Sequence, residues 1–288
     1  MRRSALVSGI VVLILFALAI GIWYAVISED RGGKLTVSFL NVGQGDAIFI
    51  DAPSGRQALI DGGRGRVVLR ELARASPWWD RSIDVVVATH PDLDHIGGLP
   101  DVLARYRVGL VMRSSVLDEG SADSAAFDAA ADAEAKQGAA LLVAKRGQII
   151  DLGGGASMEV LYPDRDVSGV ETNAGSIVAR LVYGETAFML TGDAPQAIEE
   201  YLALLDGKEL HSNVLKAGHH GSKTSSSELF IGFVSPEYAV FSRGCDNSYG
   251  HPHAEVVALF KRFEIPALDT CKDGAITFVS DGTTVRRR

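Results

Sequence analysis

Strands grouped in hairpins and interspersed with helices predict an α/β chain: a two-sheet core with helices on its outside. Three observations carry that expectation. Residues 34–60 hold three short strand-like runs separated by turn residues. Asp84-Val85-Val86-Val87-Ala88 is an apolar, β-branched run, the pattern of a strand buried on both faces. Later strand-like runs are separated by helix-length segments punctuated by Gly and Pro.

Met1-Arg2-Arg3-Ser4 precedes an almost unbroken apolar run from Ala5 to Ile27, with no charge inside it. That exceeds the roughly 20 residues a membrane-crossing helix needs. Trp23 and Tyr24 fall near its far end, where amphipathic rings favour an interface, and Glu29-Asp30 follow. The expectation is a short cytoplasmic N-terminus (1–4), a transmembrane signal-anchor helix (5–27), a polar linker (28–33) and an extracytoplasmic domain (34–288). A cleaved signal peptide is the rival reading of the same run.

Lys34 to Leu40 alternates as a first strand, Asn41 to Asp46 forms a turn, and Ala47 to Asp51 a second strand. Pro53-Ser54-Gly55 turns the chain into Gln57 to Ile60, closed by Asp61-Gly62-Gly63. Arg66 to Ala75 is amphipathic and stops before Pro77. Leu99 to Arg107, with Pro100 in its first turn, predicts a helix, and Val108 to Met112 a strand. The Ala-rich stretch Ser121 to Gly138 reads as a solvent-facing helix. Strands follow at 141–143, 148–151, 158–162, 177–183, 186–191, 214–216, 238–241 and 275–279, with helices at 195–205 and 253–263.

The net charge of −8 argues against a protein that coats nucleic acid non-specifically, without excluding a local cationic groove. Two cysteines, Cys245 and Cys271, are too few for a disulfide scaffold and lack zinc-finger spacing. Each follows a strand-like segment, and a disulfide between them is expected if the compartment is oxidising.

The chemistry concentrates in Thr89-His90-Pro91-Asp92-Leu93-Asp94-His95-Ile96-Gly97-Gly98-Leu99. Four potential metal ligands, His90, Asp92, Asp94 and His95, are packed together after a buried strand. Alternation places His90, Asp92 and Asp94 on one side of an extended segment, and His95 where a helix begins. Imidazole suits zinc, iron or manganese and carboxylates suit harder cations, so a mixed cluster can hold two ions. The following glycines let the backbone approach a bound ion. Phe188 to Asp193 is an apolar run ending in a carboxylate, and Gly218-His219-His220-Gly221 sits among lysines and hydroxyls. Adjacent histidines in a strand point to opposite sides, so one ligand and one other group are expected there. Arg243 to His253 is a polar loop with two more histidines.

These segments resemble the metallo-β-lactamase superfamily, and within it the hydrolase domain of ComEC-type competence proteins, the bacterial DNA-uptake channels. The likeness is carried by residues 41–47, 61–63, 89–99, 190–193, 215–226 and 247–252, in family order. It implies an αββα four-layer sandwich with two divalent ions, zinc or manganese, at one edge. His90 and Asp92 match ligands of the first metal and Asp94 and His95 of the second. Asp193 matches the bridging carboxylate, and His219 (or His220) the late ligand. Gln44 and Asp46 fall in a loop beside the metals, and Asp61 is expected to hydrogen-bond beneath the metal loop. Asn173 and Ser176 match an Asn-x-x-Ser signature expected to meet substrate or the metals' water. Two departures stand out: Asp92 replaces the usual second histidine, and no histidine fills the usual ligand position before Asp193.

The resemblance implies hydrolysis rather than transport, since a single membrane span cannot form a pore. The expected activity is that of an extracytoplasmic phosphodiesterase or nuclease acting on DNA, with Asp94 or Asp193 orienting water. Lys216, His220, Ser222, Lys223, Thr224, Asn247, Tyr249 and His251 are the candidates to meet the phosphate or the leaving oxygen. The alternatives are a cell-envelope phosphodiesterase, another hydrolase on the same site, and a non-catalytic envelope or DNA-uptake accessory protein.

Overall fold

The computed structural model of the chain describes residues 2–29, 31–77, 79–116, 118 and 120–288, without the side chains of residues 2–6 and 24–29. Helix α1 (Arg2–Glu29) comes first. Its described large apolar side chains, among them Phe16 and Trp23, are exposed. Among the described residues no helix is long and apolar enough to cross a membrane. The transmembrane span expected over 5–27 is therefore not supported here. Residues 5, 6 and 24–27 of it lie outside the described side chains.

Strands β1 (Leu35–Phe39), β2 (Ile48–Asp51), β3 (Gln57–Ile60), β4 (Ser82–Ala88), β5 (Arg107–Arg113) and β6 (Ala140–Val143) build one sheet. Strands β7 (Ile149–Gly153), β8 (Ala156–Tyr162), β9 (Val178–Tyr183), β10 (Thr186–Leu190), β11 (Val214–Lys216), β12 (Tyr238–Phe241) and β13 (Ala267–Asp269) build the other. The chain then returns through β14 (Ile276–Ser280) and β15 (Val285–Arg287) to complete the first, in the order β15-β14-β1-β2-β3-β4-β5-β6. Both sheets begin as antiparallel hairpins and continue as parallel strands, from β3 in one and from β10 in the other. Parallel strands need crossovers, and these carry the helices.

Burial follows the strand period. Val85 and Val87 enter the core between the sheets, while Val86 and Ala88 face the helices, which explains why β4 reads as continuously apolar. Helices α2 (Val67–Ala75), α3 (Leu93–Ile96), α4 (Leu99–Leu103) and α5 (Ala122–Lys136) lie in the first half of the chain. Val68, Leu72, Leu99, Val102 and Phe127 join the cluster on the outer face of the first sheet. Helices α6 (Gln196–Asp206), α7 (Glu228–Val234) and α8 (Ala254–Arg262) cover the other sheet through Leu202, Phe230 and Phe260. The short α9 (Thr270–Asp273) precedes β14. Two sheets between two helical layers make the αββα sandwich.

Several elements depart from the sequence expectation. The helix expected from Leu99 to Arg107 ends at Leu103, because Arg107 must enter the sheet beside Ser82. Helix α5 is not wholly solvent-facing: Phe127, Ala131 and Glu134 are buried. Strands β13 and β15 were not anticipated: they are short edge strands, largely unburied, without the fully buried run that marks the equally short β11.

Candidate metal centre

The loops that carry chemistry leave the C-terminal ends of parallel strands β3, β4, β10, β11 and β12, the edge where open α/β sheets expose backbone and gather functional groups. From β4 the chain runs through His90 and Asp92, but the extended stretch stops sooner than expected. Asp92 is the residue preceding α3, so Asp94 and His95 lie in a helical turn. Asp61, at the end of β3, organises this segment. Its Oδ1 accepts the Thr89 backbone N–H at 2.8 Å; its Oδ2 accepts the Thr89 hydroxyl and His95 Nδ1–H, both at 2.7 Å. With its proton given to Asp61, the Thr89 hydroxyl accepts His90 Nδ1–H at 3.0 Å. One buried carboxylate thereby sets the tautomer of both histidines and leaves each Nε2 free to coordinate.

Gly97 and Gly98 allow a different close approach from the one expected. A Cβ on Gly98 would lie 2.2 Å from the Gly62 carbonyl oxygen, so the pair packs α3 onto the loop after β3 rather than onto an ion. Gly45 does the same from the other side: at φ +118° its Cβ would fall 1.9 Å from the Asp94 carbonyl oxygen.

From β11 the chain reaches Gly218–Gly221, where His219 and His220 both adopt left-handed backbone, with φ of 48° and 56°. This conformation is uncommon for side-chain-bearing residues and costs of order 1–3 kcal/mol each. It also overturns the expectation of opposed histidines. His220 Nε2 lies 3.2 Å and His219 Nε2 3.7 Å from the same atom, Asp193 Oδ2. His220 is buried and donates Nδ1–H to the Ser242 carbonyl at 2.8 Å. His219 is a quarter exposed and pairs Nδ1 with the Thr224 hydroxyl at 3.1 Å. The ligand position first given to His219 therefore falls better to His220.

Asp193 Oδ2 is the hub: His95 Nε2 lies 3.3 Å from it, and His95 Nε2 and His220 Nε2 are 3.3 Å apart. Asp94 Oδ2 approaches His220 Nε2 at 3.4 Å, and Asp92 Oδ2 lies 3.7 Å from His90 Nε2. Two imidazole nitrogens whose partners already donate elsewhere cannot face each other beside a carboxylate unless positive charge lies between them. His90 Nε2 is buried with no hydrogen-bond partner. These donors fit divalent cations: imidazole nitrogens turned inward by their own Nδ1 bonds, with carboxylate oxygens among them.

The titration directions show the same demand for positive charge. Burial opposes protonation of His95 and His220, yet Asp193, with Asp61 beside His95 and Asp46 and Asp94 beside His220, lifts both well above the usual histidine range. Burial disfavours ionising Asp193, but His220, His95 and Lys216 hold it well below the ordinary carboxylate value.

Asp46, His95, Asp193 and His220 offer ligand atoms within 4.8 Å of one another. Asp46 nevertheless faces the Nδ1 side of the imidazoles, 3.9 Å from His95 and 3.5 Å from His220, while their free nitrogens point toward Asp193. We therefore place it behind the ligands. Lys216 also differs from its expected role of meeting phosphate. It is fully buried, with Nζ 2.6 Å from Asp46 Oδ2, 3.1 Å from Asp193 Oδ1 and 2.7 Å from the Gly192 carbonyl. It neutralises the two carboxylates and cannot reach a substrate.

Ser176 is buried and its hydroxyl accepts the Asp193 backbone N–H at 3.2 Å, and Asn173 keeps a buried, unpartnered Oδ1. Gln44 Oε1 accepts the Gly244 N–H at 3.2 Å, tying the first loop to the last. Asn247, expected at the substrate, instead bonds within its own loop, to the Gly244 and His251 carbonyls and the His251 N–H. Ser222 is buried and accepts the Thr224 hydroxyl, Lys223 and Thr224 are exposed, and Tyr249 stacks on His251. Cys245 and Cys271 form the anticipated disulfide, with Cα atoms 5.0 Å apart. Sequence reasoning missed Thr89 and Ser242. Thr89 flanks the ligand run and could have been found; Ser242 acts through a backbone carbonyl, which no residue type announces.

The profile of the metallo-beta-lactamase superfamily matches residues 40–244. Among curated proteins the chain is 29% identical over 264 residues to ComE operon protein 3 of Bacillus subtilis, covering 84% of this chain and 32% of that protein. It is 35% identical over 198 residues to competence protein ComA of Neisseria gonorrhoeae, covering 69% and 25%. The chain thus spans about a third or less of the length of these relatives. Among solved structures, the metallo hydrolase Igni18 of Ignicoccus hospitalis superposes with a TM-score of 0.53 at 16% identity, covering 84% of this chain and 98% of that one. Zn(2+)-bound PqqB of Methylobacterium extorquens gives 0.54 at 12%, covering 85% and 99%. Those two structures support the fold, and the profile together with the curated relatives supplies the lineage. The chain belongs to the metallo-β-lactamase superfamily, with homologues in the ComEC-type competence family.

Proposed function

We propose that the chain is a metal-dependent phosphodiesterase acting on DNA from a place at the outer side of the cell membrane. The observation that carries the reading is the inward-facing set of His95, His220 and Asp193 around one carboxylate oxygen. Two divalent ions, zinc or manganese, would be held by His90, Asp92 and Asp193 and by Asp94, His95, His220 and Asp193. When bound, such ions supply Lewis acidity to a phosphoryl oxygen and a nucleophile near neutral pH.

The chain's own residues supply the rest. Asp61 and Thr89 fix the histidine tautomers, and Lys216 keeps Asp46 and Asp193 ionised. Asp94 is a quarter exposed; although burial raises its pKa, His220 and His95 hold it below the ordinary value, leaving Oδ2 able to orient an attacking water. Lys223, four residues after His219, is exposed and adds cationic charge to this segment. An anionic substrate is favoured over a neutral amide by that charge and by the neighbouring hydroxyls.

The curated relatives are competence proteins, which supports DNA as substrate. The outer location is supported by the disulfide, which forms in oxidising compartments. Full-length chain loaded with manganese or zinc should cleave a thymidine dinucleotide, and His220→Ala should lose that activity. Absence of metal-dependent cleavage on DNA and on a chromogenic phosphodiester would overturn the proposal.

A further inference from the structure

The loop from Arg243 to His253 is braced more heavily than a connection of its length requires. Arg243 pairs with Asp269 at 2.6 Å, Cys245 is tied to Cys271, and the Asn247 amide closes the loop on itself. Beyond these braces the chain presents an aromatic side chain to solvent: Tyr249 is 63% exposed. Its ring lies 5.5 Å from that of His251 at an interplanar angle of 21°. His251 is only 7% exposed, its Nδ1 has no partner, and its ring packs 5.4 Å from that of His219. His219 in turn faces Asp193 Oδ2. The exposed ring is thus connected to the carboxylate hub by two ring-to-ring steps.

We propose that Tyr249 is a stacking platform for an unpaired nucleobase whose phosphate reaches the carboxylate–imidazole cluster. The proposal rests on the phosphodiesterase reading and names its substrate class: a single-stranded nucleic acid rather than a ringless envelope diester. Every base has a π-face, so an aromatic platform recognises bases without selecting a sequence. Because the loop is fixed in advance, little conformational freedom remains to be lost on binding. The buried His251 beneath the phenol keeps the platform from folding inward.

The test uses the full chain in detergent with a chelator, so that binding is read without turnover. Fluorescence anisotropy compares labelled oligothymidylate with an abasic oligomer of the same length and charge. Wild type should prefer the base-bearing strand by about tenfold, the scale of one stacked base. Tyr249→Ala should erase that preference and leave abasic binding unchanged, and Tyr249→Phe should retain it. Equal affinity of wild type for both strands, loss of both alike in Tyr249→Ala, or binding of neither would overturn the platform. Cleavage of glycerophosphoethanolamine or a thymidine dinucleotide by manganese-loaded wild type separates the two failures. With cleavage of either, the hydrolase stands and only the platform falls; with neither, the phosphodiesterase reading falls as well.

Discussion

Replacing Lys216 with Met removes an ammonium from between two carboxylates while keeping most of the apolar stem. Nζ is the nearest cation to both Asp46 and Asp193, at 2.6 and 3.1 Å, and all three groups are buried. Breaking a buried pair by deleting one partner costs about 3–5 kcal/mol, because the remaining charge has no compensation. The pH dependence should also weaken on the acid side. Burial pushes the Asp46 carboxyl up, but Lys216 and His220 hold it at about 2, below its ordinary 3.8. A depressed folded pKa contributes stability, about 2 kcal/mol, that is present above 3.8 and lost as the pH falls through 2. Without the ammonium, His220 and His95 alone oppose burial at Asp46, so the variant should show less of this stability loss as the pH falls. Guanidinium unfolding of chelated protein measures both effects, and Asp46→Asn in the Lys216→Met background should recover part of the loss. A Lys216→Met protein within about 1 kcal/mol of wild type at neutral pH would refute the reasoning. So would an unchanged pH slope.

Saturating manganese or zinc should stabilise wild type by about 2.7 kcal/mol at a hundredfold excess over Kd, and His220→Ala should abolish most of this shift in thermal unfolding. Reducing the Cys245–Cys271 bond, or substituting both cysteines by Ser, removes a crosslink across a separation of 26 residues. The expected loss is about 3 kcal/mol, read as a lower denaturant midpoint. Burial lifts the Glu199 carboxyl to about 7 despite the Ser226 and Ser227 N–H groups it accepts. This raised folded pKa gives stability that is full below 4.5 and lost as the pH rises through 7, by about 3 kcal/mol. Glu199→Gln should flatten the stability–pH curve across that window.

Much of the fold was legible because burial and strand period coincide. The run Val85–Ala88 announced a central strand because its two faces meet two different apolar layers. The hairpins before it were marked by their turn residues. The edge strands β13 and β15 hide because they are largely unburied and lack the apolar run that marked the equally short β11. At the site, clustered residue types announced His90, Asp92, Asp94 and His95, whereas Asp193 came from the family resemblance. What the sequence could not supply was direction. The left-handed backbone at His219 and His220 turns two neighbours toward one oxygen, against the alternation that an extended reading implies. Lys216 looked like a substrate cation because it stands beside polar residues, yet its place at the end of β11 buries it between Asp46 and Asp193. Asn247 likewise bonds within its loop, a fact set by the loop's path rather than by residue type.

Anomalous diffraction at the metal absorption edge, on crystals of the chain grown with manganese or zinc, tests the arrangement most directly. The account predicts peaks beside Asp193 Oδ2 within coordinating reach of His95 Nε2 and His220 Nε2, with Lys216 still between Asp46 and Asp193. Folded protein with no anomalous density among those three ligands would contradict it.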